Sequence, residues 1–342
     1  MKSLSFLEAM RITKHGFQNY FAQKPLVVSF EVTHSCTANC QHCDKGGFTK
    51  ENNLLQPEDY SKLVSEFRPL FVQISGGEPL LREDVTDIVR AIKHPRGESG
   101  ALPAAFNRLP RVIFVTNASL LNAENYLELN KAGVDQFSVS LDFPNEKHDE
   151  FRRHPGLYAH LEATIPRLAA DFGYNNIAMN TAITLQNLPY LRALADKAKE
   201  WNVDISYSAY SILRTGDKEH FISSEEDLET LRQTIQELIK LKKEKGHILN
   251  PPSILLKTYQ FFKDGYIPNC RAGKRFLVVR PDGKLNPCSM YPQRQYKNQA
   301  EILADFSSNN QCGECYVAIR AYSDKSVGAL LKDSVLFYFS HR

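Results

Sequence analysis

Short apolar strands alternate with helices over residues 26–211, and this alternation constrains the fold more than any other feature of the sequence. The predicted strands are rich in β-branched residues and lie at 26–34, 70–79, 111–119, 136–143, 177–185 and 204–211. Predicted helices lie between them, at 56–67, 83–93, 123–133, 157–172 and 188–201. Such alternation is typical of an α/β fold whose parallel strands are joined by right-handed crossovers. The sequence therefore predicts a parallel sheet, either open or curled into a partial barrel.

Segments on both sides of this core predict further elements. Residues 3–21 have apolar side chains near helical spacing, which predicts an amphipathic helix that packs on the body; a membrane-surface helix is the less favoured alternative. A long helix is predicted over 223–246, capped by Ser223 or Ser224. Residues 276–288 read FLVVRPDGKLNPC, which predicts a hairpin with its turn at Asp-Gly. A last helix is predicted over 326–339.

The prolines at 251 and 252 interrupt the helical pattern, and we place a domain boundary near 250–268. The predicted division is an N-terminal helix over 1–25, a core with its following helix over 26–250, and a smaller C-terminal domain over 251–342.

Seven cysteines fall into two groups. The first group is Cys36, Cys40 and Cys43, and the second is Cys270, Cys288, Cys312 and Cys315. An odd, tightly clustered set argues against a disulfide framework. Three thiolates alone do not close a tetrahedral zinc site, but they suit three corners of a [4Fe–4S] cluster whose fourth iron stays open for chemistry. For the second group a structural zinc site with four thiolates is the alternative to a cluster.

Composition excludes several classes of protein. Hydrophobic residues make up 42% of the chain, enough for a core, and 42 basic against 39 acidic residues leave a net charge of +3. Nucleic acid as the main partner gains no support from this charge. No apolar run approaches the ~18 residues of a membrane span, and the first residues lack a signal-peptide core. We therefore expect a cytoplasmic protein.

The triplet CTANCQHC and its surroundings resemble the radical S-adenosylmethionine (SAM) superfamily, over roughly residues 26–212. The resemblance implies a partial (β/α)6 TIM-like barrel. Cys36, Cys40 and Cys43 would hold a [4Fe–4S] cluster whose open iron takes the amino and carboxylate groups of SAM. His42, just before the last cysteine, would lie near the adenine.

Further motifs of the family follow in order along the chain. Gly76-Gly77-Glu78-Pro79 matches the GGEP motif that binds the methionyl ammonium of SAM, and Thr116-Asn117 matches a TN pair. Ser140 and Asp142 end the fourth strand in an SxD pattern, and the following HDxxR pattern places Arg152 near the SAM carboxylate. Asn180 and Asn187 lie where contacts to adenine are expected, although a core or capping role suits them equally. These residues fall at the carboxyl ends of strands, where barrels build active sites.

The second cysteine group resembles the twitch (truncated SPASM) domain, in which a hairpin and later cysteines hold an auxiliary [4Fe–4S] cluster. The spacing is most similar to the four-cysteine version in 2-deoxy-scyllo-inosamine dehydrogenase. Four protein ligands leave no open iron, so this cluster would relay an electron and would not bind substrate.

Together these resemblances imply an enzyme that cleaves SAM reductively and abstracts a substrate hydrogen with the resulting 5′-deoxyadenosyl radical. The cofactors would be two [4Fe–4S] clusters and SAM, with an external electron donor such as flavodoxin or ferredoxin as partner. We expect net oxidation of a small molecule such as a sugar or cyclitol. A lipid, isoprenoid or ribosomal-peptide substrate is the alternative, and with only 35 residues before Cys36 we expect no built-in peptide-recognition domain. No catalytic acid or base is identified, and an inert scaffold or an electron carrier is the competing class.

Overall fold

The computed structural model describes residues 6–95, 109–324 and 328. In these residues the six predicted strands form one parallel sheet in the order β6-β5-β4-β3-β2-β1. They are β1 (Val27–Thr33), β2 (Phe71–Gly76), β3 (Arg111–Thr116), β4 (Gln136–Ser140), β5 (Ile177–Ile183) and β6 (Asp204–Ala209). The predicted α/β fold, a partial TIM-like barrel, is confirmed.

Helices lie between the strands as the alternation predicts. The first six are α1 (Phe6–Phe21), α2 (Pro57–Phe67), α3 (Val85–Lys93), α4 (Ala123–Ala132), α5 (Lys147–Arg152) and α6 (Leu157–Phe172). The others are α7 (Leu191–Glu200), α8 (Glu225–Lys245), α9 (Pro252–Asp264), α10 (Gln299–Ile302) and α11 (Ala318–Ser323). The short α5 was not predicted. None of the helices in the described ranges is long and apolar enough to span a membrane. The helix predicted over 326–339 lies outside the described residues, apart from residue 328.

The predicted hairpin over 276–288 is present and continues the main sheet. Strand β7 (Phe276–Val279) pairs in parallel with β1, and β8 (Leu285–Asn286) pairs antiparallel with β7. Gly283 has a φ of +82° in the turn, a backbone conformation that glycine adopts at little cost. The C-terminal quarter of the chain therefore adds two strands beside the first strand of the core.

The helices cover one face of the sheet. On that face Val28, Phe114, Phe137 and Ile205 are fully buried in the main core. Because side chains alternate across a strand, their neighbours in sequence point to the opposite face. We call this opposite side the inner face of the sheet.

Helix α9 lies in the segment that the sequence analysis treated as a boundary. A proline at the first position of a helix lacks only an N–H that would be unpaired there, so Pro252 starts a helix and does not interrupt one. Ile254, Leu255 and Phe261 bury one side of α9, and Gly265 in the left-handed region ends it. Helix α8 begins as predicted, with Ser224 accepting a hydrogen bond from the Asp227 N–H at 3.1 Å.

Helix α1 packs on the body, but through a different side from the predicted apolar stripe. Met10 and Phe21 are 55% and 76% exposed, whereas Asn19 is 3% exposed. The Asn19 carboxamide donates to the backbone carbonyls of Pro25 and Arg68, at 3.2 and 2.7 Å. Apolar spacing did not predict this contact, because it is made by a polar residue through hydrogen bonds.

We expect Asn19→Ala to lower the free energy of unfolding by about 1–3 kcal/mol, since it removes a buried donor from the Pro25 carbonyl and one of the two donors to the Arg68 carbonyl, the other being His15. Met10→Ala, in the same helix, is the matched control and should change stability by less than about 0.5 kcal/mol. Anaerobic urea denaturation measures both. Equal losses in the two variants would show that α1 is not anchored through Asn19.

Candidate active site

The first three cysteines lie together in the loop that follows β1. Cys36 and Cys40 are buried, and Cys43 packs against them. The Cys36 N–H donates to the Gly47 carbonyl at 2.8 Å, which closes the loop on itself. The predicted triplet is therefore brought together at the carboxyl end of the first strand.

The same loop is tied to the end of α5. The N–H groups of Asn39 and Gln41 donate to the carbonyls of Arg152 and Phe151, at 3.2 and 3.0 Å. Two backbone hydrogen bonds thus hold the cysteine loop against a helix that follows the fourth strand.

An N–H donor faces each of the three sulfurs. The pairs are Asn117 Nδ2 to Cys36 Sγ at 3.6 Å, Arg152 Nη1 to Cys40 Sγ at 3.7 Å, and Arg214 Nη2 to Cys43 Sγ at 3.6 Å. Hydrogen bonds and positive charge at sulfur stabilise thiolates and tune a cluster bound to them. The donor set fits three thiolate ligands.

Burial raises the pKa of the Cys40 thiol to about 11 and also raises the pKa of Cys36. Binding to iron would displace these protons, since metal binding and thiol deprotonation are coupled. Among residues 6–95 and 109–324, no three histidine, cysteine, aspartate or glutamate side chains are arranged to hold a single metal ion. In an iron–sulfur cluster each thiolate binds a different iron.

Gly76 and Gly77 allow β2 to end against the cysteine loop. A Cβ on Gly76 would lie 2.1 Å from the Thr33 carbonyl oxygen, and one on Gly77 would lie 2.0 Å from that of Ser35. Gly76 also has a φ of +125°. The two glycines are therefore required by backbone contact with the segment that leads into the triplet.

Glu78 is a buried carboxylate without an ion-pair partner among the described residues. Its oxygens accept from Thr116 Oγ1 at 2.7 Å and from the N–H groups of Asn117 and Leu80, at 2.8 and 3.2 Å. Burial raises the pKa of Glu78 to about 7 in spite of these hydrogen bonds. Such a carboxylate fits a bound ammonium, which would supply the missing positive charge.

Arg152 and Asp142 form a buried ion pair beside Cys40. Arg152 Nη2 lies 2.6 Å from Asp142 Oδ2. Burial acts to raise the pKa of Asp142, but the charge of Arg152 holds it below its ordinary value. Arg153 is exposed, so Arg152 is the arginine of this pair that turns towards the cysteines.

His148 supports the same corner of the site. The Asp142 N–H donates to His148 Nδ1 at 3.1 Å, so His148 carries its proton on Nε2, which has no partner among the described residues. Burial lowers the pKa of His148 to about 3. This histidine is therefore neutral.

The other predicted SAM contacts differ in whether their polar atoms already have hydrogen-bond partners within the protein. His42 stacks on Phe151 with 4.7 Å between ring centroids, and its buried Nδ1 has no partner among the described residues. Burial lowers the pKa of His42 to about 4. Ser140 makes no side-chain hydrogen bond within the described ranges, and in those ranges the Asn180 side chain accepts only from Ser206. Asn187 is fully buried, and its side chain bonds to the backbone of Thr184 and Ala182 in the turn after β5 and makes no helix cap.

The four later cysteines also come together. They pack in one apolar cluster with residues at the amino ends of β1, β2 and β7, namely Leu26, Val27, Leu70 and Phe276. A hydrogen bond between the sulfurs of Cys270 and Cys312 raises the pKa of Cys270 and lowers the pKa of Cys312. Burial raises the pKa of Cys288. The second group of cysteines therefore lies together in apolar surroundings.

Arg320 is the cation beside this second group, and it is 1% exposed. Its Nη1 donates to the Cys315 carbonyl and lies 3.9 Å from Cys315 Sγ, while Nε donates to Asp324 at 3.0 Å. Tyr291 Oη donates to Cys312 Sγ at 3.5 Å. A buried guanidinium fits the negative charge that four thiolates would carry.

Sequence analysis missed Arg214 and Arg320. Arg214 follows the carboxyl end of β6, and its Nε also lies 2.6 Å from Asp44 Oδ1. Its place after a strand end was a usable signal, because barrel sites form there. Arg320 is five residues after Cys315, and no pattern distinguished it.

A cavity of about 250 Å³ opens at the other end of the strands, where Asn176, Lys199 and His247 line it. These residues lie at the amino ends of β5 and β6, whereas the first cysteine group lies at the carboxyl ends. The cavity is therefore separate from the cysteine site.

Comparison with known proteins gives consistent similarities. Residues 30–195 match the Radical SAM superfamily. The chain is 29% identical over 293 residues to AdoMet-dependent heme synthase of Methanosarcina barkeri, covering 78% of each chain. It is 24% identical over 276 residues to the subtilosin biosynthesis protein AlbA of Bacillus subtilis, covering 79% of this chain and 56% of AlbA. The crystal structure of Streptococcus suis SuiB bound to S-adenosylmethionine has a similar fold, with a TM-score of 0.59 at 17% identity, over 91% of this chain and 68% of SuiB.

We expect the affinity for SAM to fall as the pH drops below about 7, because only ionised Glu78 accepts from the amino group and its pKa is about 7. The loss should approach tenfold per pH unit below that value. Glu78→Gln should weaken binding by roughly 10- to 150-fold at pH 8, the range for a hydrogen bond to a charged group, and the difference from wild type should shrink as the pH falls and Glu78 becomes protonated. Calorimetry between pH 5.5 and 8 measures both. A flat wild-type profile would contradict the role given to Glu78.

Proposed function

We propose that this chain, which carries a radical SAM domain over residues 30–195, cleaves SAM reductively and removes hydrogen from a small molecule, with net oxidation of a sugar or cyclitol by dehydrogenation or bond formation. The observation that carries the proposal is the set of three clustered cysteine sulfurs, each facing an N–H donor, beside the unpaired carboxylate of Glu78. When bound, a [4Fe–4S] cluster and SAM supply a 5′-deoxyadenosyl radical that takes a substrate hydrogen atom.

The residues of the first site have separate tasks in this proposal. Cys36, Cys40 and Cys43 bind three irons and leave the fourth to the amino and carboxylate groups of SAM. Glu78 accepts from the amino group, and Arg152 compensates the carboxylate next to Cys40.

In this proposal the second cysteine group holds an auxiliary [4Fe–4S] cluster. Support comes from its four cysteines in an apolar cluster and from the buried Arg320 beside them. Four thiolates occupy every ligand position, so substrate binds elsewhere and this site accepts an electron.

Net oxidation follows from the number of cysteines. All seven are assigned as ligands, so no thiol remains to return a hydrogen atom to the substrate radical. A cluster held by the second cysteine group would supply the acceptor for the electron that substrate oxidation releases together with a proton. A flavodoxin or ferredoxin supplies the electron that starts the reaction. We place the protein in the cytoplasm, where thiols stay reduced.

A ribosomal peptide is the second candidate substrate, and the similarity to AlbA, a bacteriocin biosynthesis protein, favours it. SAM cleavage is common to both proposals. They differ in whether a small molecule or a peptide gains the new bond.

The first test counts iron. Anaerobically reconstituted protein should hold about eight irons and eight sulfides per chain, four of each per cluster. Replacing Cys36, Cys40 and Cys43 by alanine should halve both counts and abolish 5′-deoxyadenosine formation. Replacing Cys312 and Cys315 should remove the other half and leave slow SAM cleavage without substrate. One zinc and a single cluster in the wild-type protein would refute the auxiliary cluster.

The second test compares the mass of the product with the mass of the substrate. Substrate converted under reducing conditions should lose two hydrogens, one to 5′-deoxyadenosine and one as a proton with an electron. Mass spectrometry of the isolated product in D2O measures this. An unchanged formula with one deuterium on carbon would show epimerisation, and a product enlarged by the adenosyl group would show adenosylation; either contradicts oxidation.

A further inference from the structure

The inner face of the sheet is partly exposed over β2 to β6, although the segment 312–318 lies on β6. In β3, β4 and β6, fully buried residues alternate with partly exposed ones. Parallel sheets are usually covered on both faces and read as continuous apolar runs. The alternation means that helices cover one face here, while the other borders an accessible space.

Side chains on this part of the face are mostly hydroxyls and carboxamides. The polar ones are Gln73, Ser75, Gln136, Ser138, Ser140, Asn180, Ser206 and Ser208, and the apolar ones include Ile113 and Val115. Closed eight-stranded barrels fill this position with branched aliphatic side chains. Packing therefore does not account for the polar lining.

Several of these groups have no partner within the protein. Ser75 bonds to Ser29 and Ser206 to Asn180, at 2.9 and 3.2 Å. Within the described ranges Gln73, Gln136 and Ser138 make no side-chain hydrogen bond. A carboxamide carries two N–H donors and one acceptor oxygen, so the three side chains offer both kinds of group to a ligand.

The strand register places these free groups close together. Gln73 pairs across to Ile113, and Ile113 pairs across to Gln136, so one row spans three strands. With strands about 4.8 Å apart, the two glutamine backbones are roughly 10 Å apart. Two carboxamides at that spacing can reach hydroxyl groups on opposite sides of one small ligand.

Charged groups also border this space. Glu31 lies 2.9 Å from His34 Nε2 and 3.4 Å from Lys45 Nζ, and Asp135 is shared by Lys93 at 2.8 Å and Arg111 at 3.7 Å. The three side chains without a partner are themselves neutral, and they offer hydrogen bonds without charge.

The first cysteine group follows the carboxyl end of β1 in this sheet. The segment 312–318, which carries two cysteines of the second group, lies on β6. There the Ala318 N–H donates to Ser208 Oγ at 3.0 Å and Ser211 Oγ donates to the Glu314 carbonyl at 2.9 Å.

We propose that the inner face from β2 to β6 binds the substrate as a neutral polyhydroxylated ring, and that Gln73, Gln136 and Ser138 bind its hydroxyl groups. This rests on the proposed function, and it assigns recognition residues to that site. An isoprenoid would leave two carboxamides unpaired.

The test measures ligand binding by calorimetry on reconstituted protein saturated with SAM, without reductant. The probes are myo-inositol and methyl α-glucoside as neutral rings, and GTP, farnesol and a neutral serine–glycine hexapeptide as comparators. A neutral ring should bind, and Gln73→Leu, Gln136→Leu and Ser138→Ala should each weaken it about 2- to 12-fold, the range for one neutral hydrogen bond. Gln233→Leu, on the exposed side of α8, is the matched control and should bind as wild type.

Binding of neither neutral ring, or of a comparator alone, overturns the inference, and so does wild-type affinity in all three variants. Ser138→Ala removes only one oxygen, so it still tests the inference if the leucine variants fail to fold. SAM cleavage without substrate is measured on the wild-type protein and on Gln233→Leu, and the two should agree. Its absence from wild type would refute the proposed function, whereas the calorimetric result judges the recognition residues by themselves.

Discussion

The buried ion pair between Arg152 and Asp142 holds the first cysteine loop to the sheet. Asp142 follows β4 and accepts from the Ala182 N–H of β5 at 3.1 Å, while Arg152 reaches Cys40 through its side chain and Asn39 through its carbonyl. Removing one partner of such a pair leaves a buried charge, at a cost of about 3–5 kcal/mol. Two strands, α5 and the cysteine loop therefore depend on one guanidinium.

Regular patterns made the fold predictable. All six core strands and the hairpin were found because each is a short apolar run bounded by turn residues. The predictions were wrong where a polar residue makes the packing contact or where a proline begins a helix. Asn19 anchors α1 through hydrogen bonds to distant carbonyls, and hydrophobic spacing does not register such bonds. Pro252 was treated as a breaker although it stands at the first position of α9.

The candidate site was predictable only where its chemistry is local in sequence. The spacing of the triplet and the GGEP motif indicated which residues meet at the end of β1 and β2. Arg214 reaches Cys43 from 171 residues away, and no local pattern records that contact. The polar inner face had a signal that went unused: β4 reads QFSVS, with polar residues alternating in a parallel strand. In a fully covered sheet those positions would be apolar.

The pairing of β7 with β1 also bears on the order in which the protein is assembled. The chain is made from its amino end, so β1 to β6 leave the ribosome well before Phe276 is available to pair with Val27. Until then the edge of β1 is unpaired, and the segment 312–318 has not yet reached β6. Contacts between distant parts of a chain form late. The three N–H donors that face the first cysteines belong to residues 117, 152 and 214, so these contacts require no residue of the C-terminal quarter.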